Sequence, residues 1–343
     1  MKNSVLNLII VLVFFSCSKK EDPKNEPGGE YIVETVYENS SGLFSSMYGL
    51  CLEELNEEVI GVLVIDQVKN AIIKIPVNGA AGSAAVFAQL PKNANQQDIQ
   101  PWYITNAGPY YYASTYGKGI IQISRYGEVS DYTGYANKVG HWEGSAAEAH
   151  FSDPRGLCAT TGYLYVCDFG ANCISQVNSN GNSAIFSGNP STGASTKDGF
   201  RSAALFNHPN AIATNGNNEF LIAQENCVRK IDYNKEEVTT LAGPLMGYQD
   251  GKGTAAAFDN ITGIAVDKSG NAYVADIQNC CIRRIAADGT TTTFAGKGDE
   301  CGMVDGSAAD SRFDFPFDIS IAENGDFYIT DSKNLRIRRI RKK

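Results

Sequence analysis

One short phrase recurs along this chain at nearly constant spacing, and it limits the possible folds more than any other feature. A full copy has a Phe, two variable residues, often a Pro, and then a short apolar run. The equivalent positions 47, 101, 154, 209, 261 and 316 are separated by 54, 53, 55, 52 and 55 residues. Such a regular period indicates one supersecondary unit copied six times. The copies lie at 44–50, 100–104, 151–157, 206–212, 258–264 and 313–319.

The unit that begins with the fifth copy shows what each repeat is expected to form. Turn sequences such as Asp288-Gly289 separate four short apolar or β-branched runs, at 264–266, 272–276, 281–285 and 290–294. Four short antiparallel strands in roughly fifty residues are typical of a propeller blade. We therefore predict an all-β fold, a six-bladed β-propeller of four-stranded blades.

The same unit resembles a known repeat family. The general pattern of the copies, Pro-x-Gly-Ile-Ala-Val-Asp, Gly-Asn-x-Tyr-Val-Ala-Asp and Asn-x-Arg-Ile, is similar to the NHL repeat, and the fifth copy matches it most closely, over 262–296. The resemblance covers about residues 44–341. It implies an NHL-like propeller. NHL propellers serve as lyases, protein-binding modules and RNA-binding modules, so the resemblance predicts the fold and leaves the function open.

The ring needs one more strand, and the sequence offers it at the other end of the domain. The sixth copy ends at Ile340 after its third strand, whereas residues 31–37 alternate and are rich in β-branched side chains. We predict that this N-terminal strand completes the last blade, which seals the ring and removes two free sheet edges.

The N-terminus reads as an export signal. Residues 1–16 carry Lys2 and a short apolar run, and they end in a sequence that resembles a bacterial lipoprotein cleavage box before Cys17. The resemblance implies a signal peptide at 1–16, lipidation of Cys17, a tether at 17–29 and a propeller domain at 30–343. Residues 19–22 resemble surface-export signals of Bacteroidetes lipoproteins, and a periplasm-facing anchor is the alternative. We expect an envelope protein held at the outer membrane only by its lipid.

The overall charge and the C-terminal basic residues bear on partners. The net charge of −9 argues against nucleic acid, which requires a basic footprint. The basic tail at 336–343 coincides with the Ile-Arg-Arg-Ile of the last repeat, so we assign it to the fold. We expect a monomer.

Nine cysteines are present, and eight remain once Cys17 is assigned to lipid. Because several recur in the register of the repeat, we interpret them as small buried hydrophobic residues. The best disulfide candidate is Cys167–Cys173 across one turn, whereas a vicinal Cys280–Cys281 bond would be strained. The cysteines in shared registers are Cys173, Cys227 and Cys280, and also Cys51 and Cys158.

Acidic residues recur in two registers of the repeat. An acidic-Gly pair stands eight residues before the Phe, and we interpret it as a turn and N-cap leading into one helical turn. An Asp ends the second strand, and we expect it to bind turn amides. The pairs begin at Glu143, Asp198, Asp250 and Asp305, and the strand-end residues are Asp66, Asp168, Asp276 and Asp331.

If repeated residues are architecture, positions where the copies disagree are the candidates for ligand binding. The residue after the Pro position opens the innermost strand near the channel mouth, where aromatic rings and an Arg suit a glycan or a peptide. Trp142 lies on a loop of the same face, and blade four replaces the strand-end Asp with Gln224-Glu225. The six mouth residues are Tyr48, Trp102, Arg155, Asn210, Thr262 and Phe317.

An enzyme is the weaker expectation. All three histidines, His141, His150 and His208, fall on this face and could ligate zinc. Peptidyl-hydroxyglycine lyases of this fold hold zinc with histidines from different blades, a pattern that does not transfer here because two of the three share a loop. We predict no cofactor and find no hydrolase or phosphate-binding motif. We therefore expect an envelope-anchored propeller that binds a glycan, a peptide or an envelope protein at this face. The alternatives are a metal-dependent lyase or hydrolase, and a scaffold in an outer-membrane complex.

Overall fold

Six four-stranded antiparallel blades form a propeller ring, as the repeat predicts. The structure, a computed structural model, describes residues 31–77, 83–93, 95–116, 119–134 and 140–343. In these residues no α-helix forms, and the only helical turn is the 3₁₀ turn Gly253–Ala255. No helix in the described part of the chain is long and apolar enough to cross a membrane. The signal peptide, Cys17 and the tether lie outside the described residues.

Each blade is a meander in which the first strand lines the central channel and the fourth lies at the rim. A strand at the N-terminus, β1 (Tyr31–Glu38), precedes the first blade. Blade one comprises β2 (Leu50–Leu55), β3 (Glu58–Asp66), β4 (Ala71–Pro76) and β5 (Ala85–Gln89); blade two, β6 (Pro101–Ala107), β7 (Tyr110–Thr115), β8 (Gly119–Ser124) and β9 (Val129–Thr133); blade three, β10 (Pro154–Thr160), β11 (Tyr163–Asp168), β12 (Cys173–Asn178) and β13 (Ser183–Gly188).

The second half of the ring adds short rim strands to the same plan. Blade four comprises β15 (Pro209–Thr214), β16 (Glu219–Gln224), β17 (Cys227–Asp232) and β18 (Glu237–Ala242), with the short strand β14 (Gly199–Phe200) paired to β18 at the rim. Blade five comprises β22 (Ile261–Val266), β23 (Ala272–Asp276), β24 (Cys281–Ile285) and β25 (Thr290–Ala295), with β20 (Gly251–Lys252) at the rim; the short strands β19 (Leu245–Met246) and β21 (Ala257–Phe258) pair with each other before it. Blade six comprises β27 (Pro316–Ile321), β28 (Phe327–Asp331) and β29 (Arg336–Lys342), with β26 (Gly306–Ser307) at the rim.

The N-terminal strand closes the ring, as predicted. The last sheet has the order β26-β1-β29-β28-β27, and β1 runs antiparallel to β29 with Val33 opposite Ile340. Glu34 also forms ion pairs with Arg339 and Arg341 of β29. The first and last strands of the domain are therefore one ladder, and no blade is left with three strands.

The repeated Phe packs between neighbouring blades. Phe313 is fully buried and shares an apolar cluster with Ala295 of blade five and Ile319 of blade six. Burying such a ring contributes about 1.5–3 kcal/mol relative to leaving it exposed. Because each blade is covered on both faces by its neighbours, its middle strands are apolar on both faces. The phrase is thus the residue set that joins one blade to the next.

Innermost strands approach one another closely where the phrase has its Gly. A Cβ on Gly156 would lie 2.5 Å from the Cα of Ala211, and a Cβ on Gly263 would lie 2.7 Å from the Cα of Asp318. Only a residue without a side chain fits such a contact. In this register blades two and six carry Tyr103 and Asp318, whose side chains therefore enter the channel region.

The acidic-Gly pairs do not cap helices, contrary to the expectation. Asp250 instead accepts a hydrogen bond of 2.7 Å from the fully buried Arg283 of the third strand. It also accepts the backbone N–H of Thr293, and the 3₁₀ turn Gly253–Ala255 has no side-chain cap. The reason is that a buried guanidinium without a counterion would destabilise the fold more than a turn without a side-chain cap. The same ion pair joins Arg229 to Asp198 and Arg338 to Asp305.

The strand-end Asp residues bind turn amides, as predicted. Asp276, for example, accepts the backbone N–H of Asp259 at 2.9 Å and the side chains of Asn279 and Arg283. Burial raises its pKa to about 6, although these donors oppose the shift. Equivalent amide bonds reach Asp66 from Ser45 and Lys69, Asp168 from Ser152, Asp153 and Ala171, and Asp331 from Asp314.

The disulfide expectation is wrong, and the register explains why. Cys167 and Cys173 are free and buried. Cys173 lies opposite Asp168, so these two side chains share one face of the sheet. Cys167 directly precedes Asp168 in the strand and therefore points to the other face. The disulfide found in the described residues is Cys280–Cys301, with Cα atoms 5.2 Å apart.

The register of blade five also changes the interpretation of its cysteine pair. Cys281 lies opposite Asp276, as Cys173 lies opposite Asp168, so Cys281 and not Cys280 matches the repeat. Cys280 occupies a left-handed turn position, with φ of 53°. The other in-register cysteines are buried thiols, as expected, and burial raises the pKa of both Cys51 and Cys158 to about 12.

Candidate ligand site at the channel mouth

The first residues of the innermost strands converge into an aromatic cluster at one end of the channel. The ring of Tyr48 lies 4.8 Å from that of Phe317 and 5.5 Å from that of Trp102, both edge to face. Tyr103 adds a ring 5.5 Å from Phe317. Tyr48 therefore contacts two other predicted mouth residues, Trp102 and Phe317, and both Tyr48 and Trp102 are partly exposed.

Arg155 is held between two aromatic rings. Its guanidinium carbon lies 4.6 Å from the ring centre of Trp102 and 3.4 Å from that of Phe169. It donates to Asp153 at 3.0 and 3.2 Å and to the Oδ1 of Asn210 at 3.3 Å. Its side chain is 18% exposed, so one edge of a preorganised cation remains available to a ligand.

The side chains of Asn210 and Thr262 form hydrogen bonds to the next blade. Asn210 donates to the carbonyl of Ile261, and Thr262 donates to the carbonyl of Phe317, so each side chain bonds the next blade. The hydroxyl of Tyr103 donates to the carbonyl of Thr262 at 2.6 Å and thereby joins blade two to blade five. These bonds fix the floor of the mouth, and Asn210, Thr262 and Phe317 are buried.

The remaining predicted residues lie away from the aromatic cluster. Trp142 is 62% exposed on the loop before blade three. Gln224 is buried and donates to Thr196, whereas the exposed Glu225 pairs with His208 at 3.3 Å. Glu225 reaches the mouth only indirectly, because the ring of His208 packs 4.6 Å from Phe169.

The three histidines do not form a common metal site. His141 Nδ1 lies 2.9 Å from the Oδ2 of Asp168. His208 pairs with Glu225, and the buried His150 pairs through its backbone with Trp142. In the described residues, neither His150 nor His208 belongs to a group of three metal-type ligands within 4.8 Å of one another.

Three contributors to the mouth were missed from the sequence: Phe169, Asp153 and Tyr103. Phe169 directly follows the strand-end Asp168, at a position where the copies have Gln, Tyr, Phe, Glu, Ile and Ser. Tyr103 replaces the repeat Gly. The signal was the same disagreement between copies, in registers that the prediction did not compare. Asp153 carries no such signal, because it lies in the variable part of the phrase.

Two polar atoms beside Arg155 have no hydrogen-bond partner among the described residues. They are the Nε1 donor of Trp102 and the Oδ1 acceptor of Asp153, and both are buried. Burial raises the pKa of Asp153, while Arg155 opposes the shift. Because an unpaired buried polar atom costs about 1–3 kcal/mol, a ligand that offers both an acceptor and a donor would gain here.

Two cavities lie below the aromatic cluster. One of about 270 Å³ is the central channel itself, lined by the innermost strands from Tyr103, Gly156 and Asp318 onward. The larger, of about 590 Å³, lies between blades two and three and is lined by Tyr112, Tyr132 and Tyr163. The hydroxyl of Tyr132 donates to a carbonyl and that of Tyr112 accepts from Gln122. Since the hydroxyls of Tyr112 and Tyr132 already have partners, the mouth is a better candidate site than this larger cavity.

Comparison with known proteins supports the architecture. No family model matches the chain. Teneurin-3 of Danio rerio is 27% identical over 227 residues and that of Mus musculus 28% over 228; each match covers 58% of this chain, which spans about 8% of their length. The solved auxiliary nutrient binding protein of Bacteroides ovatus has a TM-score of 0.66 at 15% identity, covering 92% of this chain and 77% of that one.

A second solved structure widens the range of functions on this fold. Virginiamycin B lyase of Staphylococcus aureus has a TM-score of 0.56 at 13% identity, covering 91% of this chain and 99% of that one. Identities this low show a shared fold. The chain is therefore a six-bladed β-propeller whose structural relatives include both a binding protein and an enzyme.

Proposed function

We propose that this protein is a ligand-binding propeller that takes a glycan at the channel mouth. The observation that carries the proposal is the arrangement around Arg155: aromatic faces of Trp102 and Phe169, with an unpartnered donor on Trp102 and an unpartnered acceptor on Asp153. A sugar offers hydroxyls that both donate and accept, and it has apolar ring faces that stack on aromatic rings. The Bacteroides ovatus relative, an auxiliary nutrient binding protein, agrees with such a role.

A glycan array followed by calorimetry tests this proposal. Wild type should bind at least one glycan, and Trp102→Ala should weaken that binding by tenfold or more because it removes both the stacking face and the donor. Arg155→Ala should weaken it similarly. Tyr126→Ala is the matched control, since Tyr126 is an aromatic residue 90% exposed on the turn between β8 and β9, at the opposite face. Equal affinities in all three variants, or binding of peptides alone, would overturn the proposal.

We also propose that the chain is an NHL-like lipoprotein of the cell envelope and acts as a monomer. The support is the sequence alone: the apolar run in residues 1–16, Cys17 behind it, and the NHL-like repeat. Mass spectrometry of the protein expressed in a bacterial host should show cleavage before Cys17 and acyl chains on it. Cys17→Ala should leave the protein unlipidated and free of the membrane fraction; membrane retention of that variant contradicts the anchor.

A further inference from the structure

Blade three lacks the arginine that neutralises the strand-end Asp in blades five and six. In blades five and six this carboxylate receives a hydrogen bond from a fully buried arginine, Arg283 or Arg338. The equivalent position of blade three, the third residue of β12, is Ser175. Asp168 is nevertheless fully buried. Its polar partners are turn amides and the imidazole of His141.

A thiol completes a mixed group of donor atoms at this point. Cys173 Sγ lies 3.9 Å from His141 Nδ1, which itself lies 2.9 Å from Asp168 Oδ2. All three donor atoms, one sulfur, one nitrogen and one oxygen, lie within 4.8 Å of one another. The side chain of His141 is 3% exposed and that of Asp168 is fully buried. The group is therefore a closed cluster inside the fold, unlike a set of surface acids.

We propose that His141, Asp168 and Cys173 bind a divalent transition-metal ion, with Zn²⁺ the preferred one. Thiolate, imidazole and carboxylate are the ligands that zinc takes in proteins, and three of them leave a fourth position for water. Tetrahedral coordination requires N···S of about 3.6 Å and N···O of about 3.4 Å. The observed 3.9 and 2.9 Å from His141 Nδ1 lie within about half an ångström of these values.

The metal would also resolve the charge of the cluster. Metal binding displaces the thiol proton and compensates two buried anions with one dication. The other cysteine-containing group, Cys280, Cys301 and Asp314, offers no such site because its two sulfur atoms are bonded to each other.

Its position places the ion next to the candidate ligand site. Asp168 precedes Phe169 and accepts the backbone N–H of Asp153, and His141 precedes the exposed Trp142. The ion would therefore tie the loop before blade three to the second and third strands of that blade. The inference does not depend on the proposed glycan, because a metal can bind here whatever the mouth takes.

Cobalt substitution of the purified full-length chain tests the site. Co²⁺ bound to a thiolate gives sulfur-to-metal charge-transfer absorption in the near ultraviolet, and tetrahedral Co²⁺ gives intense visible bands. We expect both bands in wild type, saturating at about one equivalent, and displacement of Co²⁺ by Zn²⁺. Cys173→Ser should abolish the charge-transfer band, and His141→Gln should weaken Co²⁺ binding at least tenfold.

The matched control is Cys227→Ser. Cys227 opens β17 in the register of Cys173, but it lies opposite Gln224 instead of an Asp. This variant should bind Co²⁺ as wild type does. The proposal is overturned if wild type shows no charge-transfer band, or if the band survives Cys173→Ser. Should Cys173→Ser fail to fold, His141→Gln, which keeps the thiol, decides: undiminished binding there shows that His141 serves only as the counterion of Asp168.

Discussion

Blades three and five share one backbone plan but neutralise the same buried carboxylate in different ways. In blade five the fully buried Arg283 bridges Asp276 at 3.0 Å and Asp250 at 2.7 Å. In blade three Ser175 stands at that position, and the imidazole of His141 reaches Asp168 from a loop. The comparison teaches that the repeat specifies a buried anion more strictly than the cation that balances it. A blade can therefore acquire a new binding group at this position when another side chain replaces the arginine.

The largest expected effect comes from giving blade five the residue of blade three. Arg283→Ser leaves Asp276 buried without its guanidinium, and no imidazole stands nearby to replace it. We expect a loss of about 3–5 kcal/mol in the free energy of unfolding, measured by urea denaturation. The control is Arg284→Ser, whose half-buried side chain bonds Asn271, with an expected loss of about 1 kcal/mol. Equal losses would mean that the turn amides alone hold the carboxylate.

Asp318 extends the comparison to a buried carboxylate with neither arginine nor imidazole. It accepts the backbone N–H groups of Leu50 and Ile319, and burial raises its pKa to about 7. Because this exceeds the unfolded value of 3.8, its contribution to stability is full below about pH 4 and is lost as pH rises through about 7, by about 4 kcal/mol. Urea unfolding between pH 4 and 8 should show that Asp318→Asn gains on wild type as pH rises. A pH-independent difference contradicts the raised pKa.

The disulfide of blade five is the next smaller effect. Cys280–Cys301 closes 21 residues and ties the turn after β23 to the loop before blade six. In blade three the turn position of Cys280 is held by Asn172, which has no such bridge. Cys301→Ser, in which Cys280 becomes a free thiol, should lower the free energy of unfolding by about 3 kcal/mol. Reducing agent should produce the same loss in wild type and none in the variant; a loss in both contradicts the assignment.

The smallest effect concerns the two loop acids. Asp250→Asn removes the charge that faces Arg283, whereas Glu143→Gln removes one that accepts only the backbone N–H of Ile185 among the bonds found. We expect losses of about 1 and about 0.5 kcal/mol in the free energy of unfolding. Because Arg283 is fully buried but Asp250 is 51% exposed, 1 M NaCl should reduce the loss from Asp250→Asn only in part, and it should leave the loss from Glu143→Gln nearly unchanged. A larger loss for Glu143→Gln than for Asp250→Asn would mean that the loop acid of blade three contributes more to stability than that of blade five.

The fold could be predicted because the sequence of one blade recurs six times along the chain. The copies of the phrase agree on the innermost strand, and the missing fourth strand of the last blade had one candidate, Tyr31–Glu38. The buried arginines were visible as Ile-Arg-Arg-Ile, but their loop partners were not, because ion pairs join residues 33 apart such as Arg283 and Asp250. Such pairs depend on how a loop returns to the rim, which no local pattern shows.

The candidate site was predicted only in part. Comparing copies selected Trp102, Tyr48 and Arg155, which do meet at the mouth. It also selected Asn210, whose side chain is used to join blades. Disagreement between copies marks a position that the fold does not require to be the same in every blade. The cause can be a ligand, or a neighbouring residue that also differs from the other copies. The bond from Tyr103 to Thr262 across the ring is of the second kind.

Closure by β1 has a consequence for how the molecule is presented. The innermost strand of blade six leaves the mouth, and the meander reverses direction twice before β29, so β1 begins at the face opposite the mouth, with Tyr31 beside Lys342. The described chain therefore begins on the face opposite the mouth. If Cys17 carries the lipid we propose, the face opposite the mouth is the one nearer the bilayer, and Trp102 lies on the face that points away from the membrane.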